Sequence, residues 1–297
     1  MRIMLAIDES SYSARVVNML KALGPSSRTE VKLMTVIPEH TFIGGHTLRR
    51  LWGHTSEAQT KKNQEKLANE LLNSHIESIR AIGVSVEPII VWGNPPEQIL
   101  KCARTNSIDL IIIGTKGSGN AGFPIGSVAQ KIMKYAHTNV LLVREDIKRI
   151  RRVLLATDGS KHSERTARFL LNIQLPRKTK IIVATSLESH IQALVKMPTL
   201  DMKENRQIIA TLQETEKESA TELITRTKEL FHNKGYLTES MLLEGSPARE
   251  IIQFSRSINP DLIAVGAKGL SAIENFLLGS VAQRVARFAR YSVLIVR

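Results

Sequence analysis

Three glycines and a serine, Gly266, Gly269, Gly279 and Ser280, have the residue types and spacing of an anion cradle. Glycine lets a backbone come close to a phosphate, N–H groups at a helix start carry partial positive charge, and a serine hydroxyl adds a donor. Lys268, in the same stretch, supplies a cation. The first glycine closes a short apolar run of strand length, and the last opens an amphipathic helix with Val281, Ala282, Val285, Ala286 and Phe288 as its apolar stripe. Asp158 ends another strand, whose loop opens on the same edge as Gly266. The chemistry on offer is a phosphate held beside a carboxylate.

These groups are repeated in the chain. RIMLAIDESSYSARV at Arg2 returns as RVLLATDGSKHSERT at Arg152, with Asp8 over Asp158, Ser10 over Ser160 and Ser13 over Ser163. The segment from Gly93 that ends IIIGTKG returns from Gly245 ending IAVGAKG, and GSVAQKIMKYAHTNVLLVR at Gly126 returns as GSVAQRVARFARYSVLIVR at Gly279. An internal repeat of this length means two copies of one domain, over 1–145 and 150–297, joined through 144–151. Segments 39–54 and 188–202 are where the copies differ most.

Each copy reads as strands alternating with helices. The first has strands near 3–7, 31–37, 84–91, 110–113 and 140–143, and helices near 13–23, 56–81, 96–105 and 127–136. The second has strands near 153–156, 180–186, 237–243, 262–265 and 293–296, and helices near 163–171, 203–233, 248–257 and 280–290. Short apolar strands separated by helices imply an α/β fold with a doubly wound parallel sheet, whose ligands sit beyond the carboxyl ends of the strands.

The pattern Gly, two residues, Gly, nine residues, Gly-Ser resembles the ATP-binding signature of the universal stress protein family. The resemblance covers nearly the whole chain, in two units, and implies two tandem Rossmann-like domains of the adenine nucleotide alpha hydrolase kind. It further implies that the last strands, NVLLV and SVLIV, pair as an intrachain pseudo-dimer. In the second copy it implies ATP, alone or with Mg2+, held by Asp158 near the adenine and ribose, by Ser186, and by Gly266, Lys268, Gly269, Gly279 and Ser280. In the first copy Asp8, Val36, Gly114, Gly117, Gly126 and Ser127 align, but only eight residues separate Gly117 from Gly126, so the second copy is the stronger expectation. The role implied is regulatory, in a stress response, with a homodimer or another protein as partner.

Composition narrows the field. The net charge of +13 raises nucleic acid as a partner, yet it divides as +4 over 1–146 and +9 over 147–297. Arg284, Arg287 and Arg290 share one helix face without interleaved aromatic residues, which reads as a solvated basic face and speaks against nucleic acid. No apolar run reaches the roughly 18 residues of a membrane span, and an acidic residue interrupts the N-terminal apolar stretch, so a cytoplasmic protein is expected. The single cysteine, Cys102, excludes an internal disulfide and reads as a small buried hydrophobe. His40 and His46 have no partners at metal-ligand spacing. Gly117, Gly119 and Gly122 spell GxGxxG with Glu145 beyond the next strand, but they follow the fourth strand rather than the first, against a dinucleotide-binding oxidoreductase. No P-loop is present, and neither Ser127 nor Ser280 has a base at useful spacing, so no enzyme is expected. The alternative is a nucleotide-free interaction module; a purely structural loop would have no reason to keep the glycine spacing.

Overall fold

The computed structural model describes residues 1–39, 57–117, 125–173, 175–187, 206–270 and 278–297. The chain divides into two compact units, Met1–Arg149 and Ile150–Arg297. In the first, β1 (Arg2–Ala6), α1 (Tyr12–Leu23), β2 (Glu30–Ile37), α2 (Glu57–Arg80), β3 (Ser85–Trp92), α3 (Pro95–Thr105), β4 (Leu110–Gly114), α4 (Ser127–Tyr135) and β5 (Asn139–Val143) follow one another. The second repeats the order with β6 (Arg152–Ala156), α5 (Lys161–Ile173), β7 (Lys180–Leu187), α6 (Arg206–His232), β8 (Leu237–Glu244), α7 (Pro247–Ile258), β9 (Leu262–Gly266), α8 (Ser280–Phe288) and β10 (Ser292–Val296).

Both sheets are parallel, in the order β3-β2-β1-β4-β5 and β8-β7-β6-β9-β10. The chain steps outward from β1 to β3 and then returns to the other side of β1. This reversal parts the loops after β1 and β4 and opens a crevice at their carboxyl ends. In the second unit β6 and β9 stand in the same relation.

The middle strands are near-continuous apolar runs because helices cover both faces. Ile3, Met4 and Leu5 of β1, Leu110, Ile111 and Ile112 of β4, and Val153, Leu154 and Leu155 of β6 are all 0% exposed. The helices bury matching stripes, with Val16, Leu20 and Leu23 from α1 and Ala282, Val285 and Ala286 from α8. The edge strands differ. β3 carries Pro88, tolerated where no further strand must be hydrogen-bonded, and Lys32 meets Glu87 across the pair at 2.7 Å. In β8 the same device is Lys180 paired with Glu239.

Two side chains depart from the sequence reading. Phe288, placed with the apolar stripe of α8, is 53% exposed beside the Arg287 guanidinium, because the buried stripe runs through Ala282, Val285 and Ala289. Cys102 is half-buried, close to the Asn106 amide at 3.3 Å, and burial pushes its thiol pKa up.

Candidate functional site

The loops that follow β1 and β4 are tied to each other. Asp8 Oδ1 accepts the Ser10 N–H at 3.0 Å and also the Ser10 hydroxyl, which turns the chain toward α1. Its other oxygen lies against the glycine loop: a Cβ at Gly117 would stand 2.6 Å from Asp8 Oδ2. The second unit reproduces this. Asp158 Oδ1 accepts the Ser160 N–H at 3.0 Å, Oδ2 accepts the Leu270 N–H at 3.1 Å, and a Cβ at Gly269 would again be 2.6 Å from Oδ2. Ser160 also caps α5, accepting the Ser163 N–H at 3.2 Å.

The other glycines have intrachain reasons as well. At Gly114 a Cβ would meet Tyr12 Cβ at 2.7 Å, and at Gly266 it would meet the His162 backbone at 2.9 Å, so these positions let the next helix start close to the sheet. The Gly126 N–H donates to the Thr115 carbonyl at 2.6 Å and the Gly279 N–H to that of Ala267 at 2.7 Å. Each of these glycines therefore has a packing reason of its own, beside any part it takes in holding an anion.

The shortened loop of the first unit is pinned at the same two points as the longer one. Its missing residue falls within 118–124, which lie outside the described residues together with Gly119 and Gly122 of the GxGxxG run, His40 and His46. Ser127 and Ser280 open α4 and α8, behind extended Gly126 and Gly279. The first-turn N–H groups of a helix have no partner inside it, and here they face the crevice edge of each sheet.

In the first unit these parts surround a cavity of about 660 Å3. Lys116, Gly117, Gly126 and Ser127 line one end, and Val36, Ile37 and Pro38 from the end of β2 line the other, with Asp8 and Glu9 between. The α2 wall contributes Gln64, Leu67, Ala68 and Leu71. Parallel strands lie about 4.8 Å apart, so the carboxyl ends of β4 and β2 are separated by roughly 10 Å across β1. That span matches a ligand with an anionic end and a flat apolar end. The α2 wall was missed in the sequence because its helix is mostly polar; Gln64 and Glu216, equivalent under the 152-residue offset that relates Gly83 to Gly235, are both half-buried, which their residue types do not announce.

In the second unit, the Ser186 hydroxyl donates to the Gly245 carbonyl at 2.8 Å, which fixes the end of β7 and leaves its oxygen as an acceptor. His162 takes the place of Tyr12. Burial, with Arg165 and Lys268 nearby, holds its pKa below the ordinary histidine value, against the opposing pull of Asp158. Arg297, after β10, is lowered by burial to about 10. Among the described residues no group of three or more His, Cys, Asp or Glu is placed to hold a metal ion, and no helix is long and apolar enough to cross a membrane.

Two parallel α/β domains with a crevice at the strand-order reversal define a tandem protein of the Rossmann-like class. The sequence profile of the universal stress protein family matches residues 1–144 and again 149–297, so the chain belongs to that family through both halves. A universal stress protein of Methanocaldococcus jannaschii is 28% identical over 165 residues, 56% of this chain and 92% of that one. One from Bacillus subtilis is 26% identical over 152 residues, 49% of this chain and 98% of its own. Among solved structures, a universal stress protein from Archaeoglobus fulgidus has the same fold over 100% of this chain and 98% of its own, with a TM-score of 0.67 and 19% identity.

Proposed function

We propose that the protein is a nucleotide-responsive regulator that binds an adenine nucleotide, ATP in the first instance, in the first unit and by the same means in the second. The observation that carries this is the cavity of the first unit, which joins the glycine loop to the end of β2 and has the size of an ordinary ligand pocket. This moves the emphasis from the second copy, which the loop length favours, to the first. Lys116 and the α4 N-terminus receive the phosphates, Asp8 accepts from the ribose hydroxyls, and Val36, Pro38 and Ile99 enclose the base. Asp8 and Glu9 are the lining carboxylates that would hold Mg2+, which would offset phosphate charge.

Regulation rather than turnover is the reading the residues favour. No described histidine lines the cavity, and the hydroxyl of Ser13, one of those that line it, donates to the Asp8 backbone carbonyl. The ligand would instead clamp the loops after β1, β2 and β4, and stabilise the native state by mass action.

Calorimetric titration of the full chain with ATP tests this, using Gly126→Glu and Gly279→Glu to remove each cradle in turn. Each carboxylate is expected to abolish binding in its own unit and leave the other intact. No heat from either unit at millimolar ATP overturns the reading and leaves the nucleotide-free interaction module.

A further inference from the structure

The wall of the first-unit cavity holds a polar atom without a partner. Gln64 Oε1 is buried and accepts no hydrogen bond among the described residues, although Gln64 lines the cavity. A buried acceptor left unpaired is costly, and native structures seldom keep one without a reason. Gln64 stands one helical turn before Ala68 in α2, the helix that packs against β2 and β3. Whatever pairs with it belongs to the base end of a ligand.

The repeat tells which end of the amide matters. With Gly83 set over Gly235, Ala68 (7% exposed) falls on Ala220 (9%), Leu72 on Ile224, and Ile79 on Phe231, both 0% exposed. Under the same offset Gln64 falls on Glu216, and both are half-buried. A carboxylate only accepts hydrogen bonds, whereas an amide both donates and accepts. What the two positions have in common is an acceptor oxygen. The complementary ligand group is a donor, and on the edge of a purine that donor is an exocyclic amine.

We propose that Gln64 is a specificity-determining residue which selects a base bearing an exocyclic amine, adenine over hypoxanthine, by accepting that N–H at Oε1. This rests on the nucleotide reading of the cavity and adds to it the atom that discriminates. Hypoxanthine carries a carbonyl oxygen where adenine has its amine, so it would set two acceptors against each other, a mismatch that binding sites reject more strongly than a missing methyl group.

Both tryptophans of the chain, Trp52 and Trp92, lie in the first unit, and Trp92 Nε1 donates to Glu65, the neighbour of Gln64, at 3.3 Å. Tryptophan fluorescence of the full chain therefore reports on the first unit, with bound nucleotide counted by calorimetry in the same samples. Wild type, Gln64→Leu and Gln64→Glu are titrated with ATP and with inosine triphosphate. ATP is expected to bind wild type about tenfold more tightly than inosine triphosphate. Gln64→Leu should bring the ratio close to one, and Gln64→Glu, which installs the residue of the second unit, should restore it. An ATP preference that is unchanged in Gln64→Leu overturns the inference while leaving nucleotide binding intact; no binding of either nucleotide to the wild-type first unit removes both. Because Gln64→Glu places a residue that α6 already carries at this turn, a folding defect confined to Gln64→Leu still leaves the comparison of Glu with wild type: a preference lost in Gln64→Glu overturns the proposal.

Discussion

Asp158 holds two loops together with one carboxylate, Asp8 stands against its own glycine loop in the same way, and the glycine opposite makes this close approach possible. Adding a methyl group at Gly117 puts Cβ 2.6 Å from Asp8 Oδ2, so the carboxylate must move. Gly117→Ala is expected to weaken ATP binding in the first unit by about tenfold or more, read by titration, with a loss of about 1 kcal/mol in stability. His162 makes a different prediction. Its folded pKa lies below the ordinary value of 6.5, so the unfolded chain takes up a proton first as pH falls. The stability tied to neutral His162 is intact above pH 6.5 and is lost as the pH drops from there toward the folded pKa. His162→Tyr, which copies Tyr12 of the first unit, should flatten the fall in Tm between pH 7.5 and 5; an unchanged slope would assign that fall to other groups such as His75, also lowered by burial. At this scale the sequence was half legible. The pairing of Asp8 with Gly117 follows from their motif positions, whereas Gln64 was hidden because a glutamine in a polar helix looks like every other solvated side chain.

The elements sort into buried and exposed by strand order, and substitutions should follow that division. Leu5 in β1 and Leu155 in β6 are 0% exposed between two layers of helix. Leu5→Ala and Leu155→Ala are each expected to cost about 2–5 kcal/mol in urea denaturation, through lost burial and the cavity left behind. Leu237, 61% exposed at the start of edge strand β8, should tolerate Ser within about 0.5 kcal/mol. Strand and helix positions were readable in advance to within a few residues, since LIIIG and RVLLA are too short and too apolar to be anything but covered strands. Phe288 was misread for the opposite reason: near a helix end the hydrophobic period has too few turns left to fix which side a residue takes, and the chain there leaves for β10.

Duplication governs the whole molecule. Each unit has its own apolar core and its own five-stranded order, so residues 1–149 and 150–297 are each expected to fold when expressed separately, with a cooperative urea transition. A half that shows no transition would mean that its core is incomplete. The repeat made the domain count legible from sequence alone; whether the shorter loop still serves a site was not, because loop length says where a chain differs and not whether the difference reaches the site. The contacts that pin each loop, Gly126 to Thr115 and Gly279 to Ala267, carry a consequence for engineering. With both ends clasped by one backbone hydrogen bond, the stretch between behaves as an exchangeable cassette: eight residues in one copy and nine in the other differ in closure entropy by only about 0.1 kcal/mol. Transplanting 118–125 and 270–278 between the copies should leave both folds standing, and would turn the two halves of one chain into each other's controls.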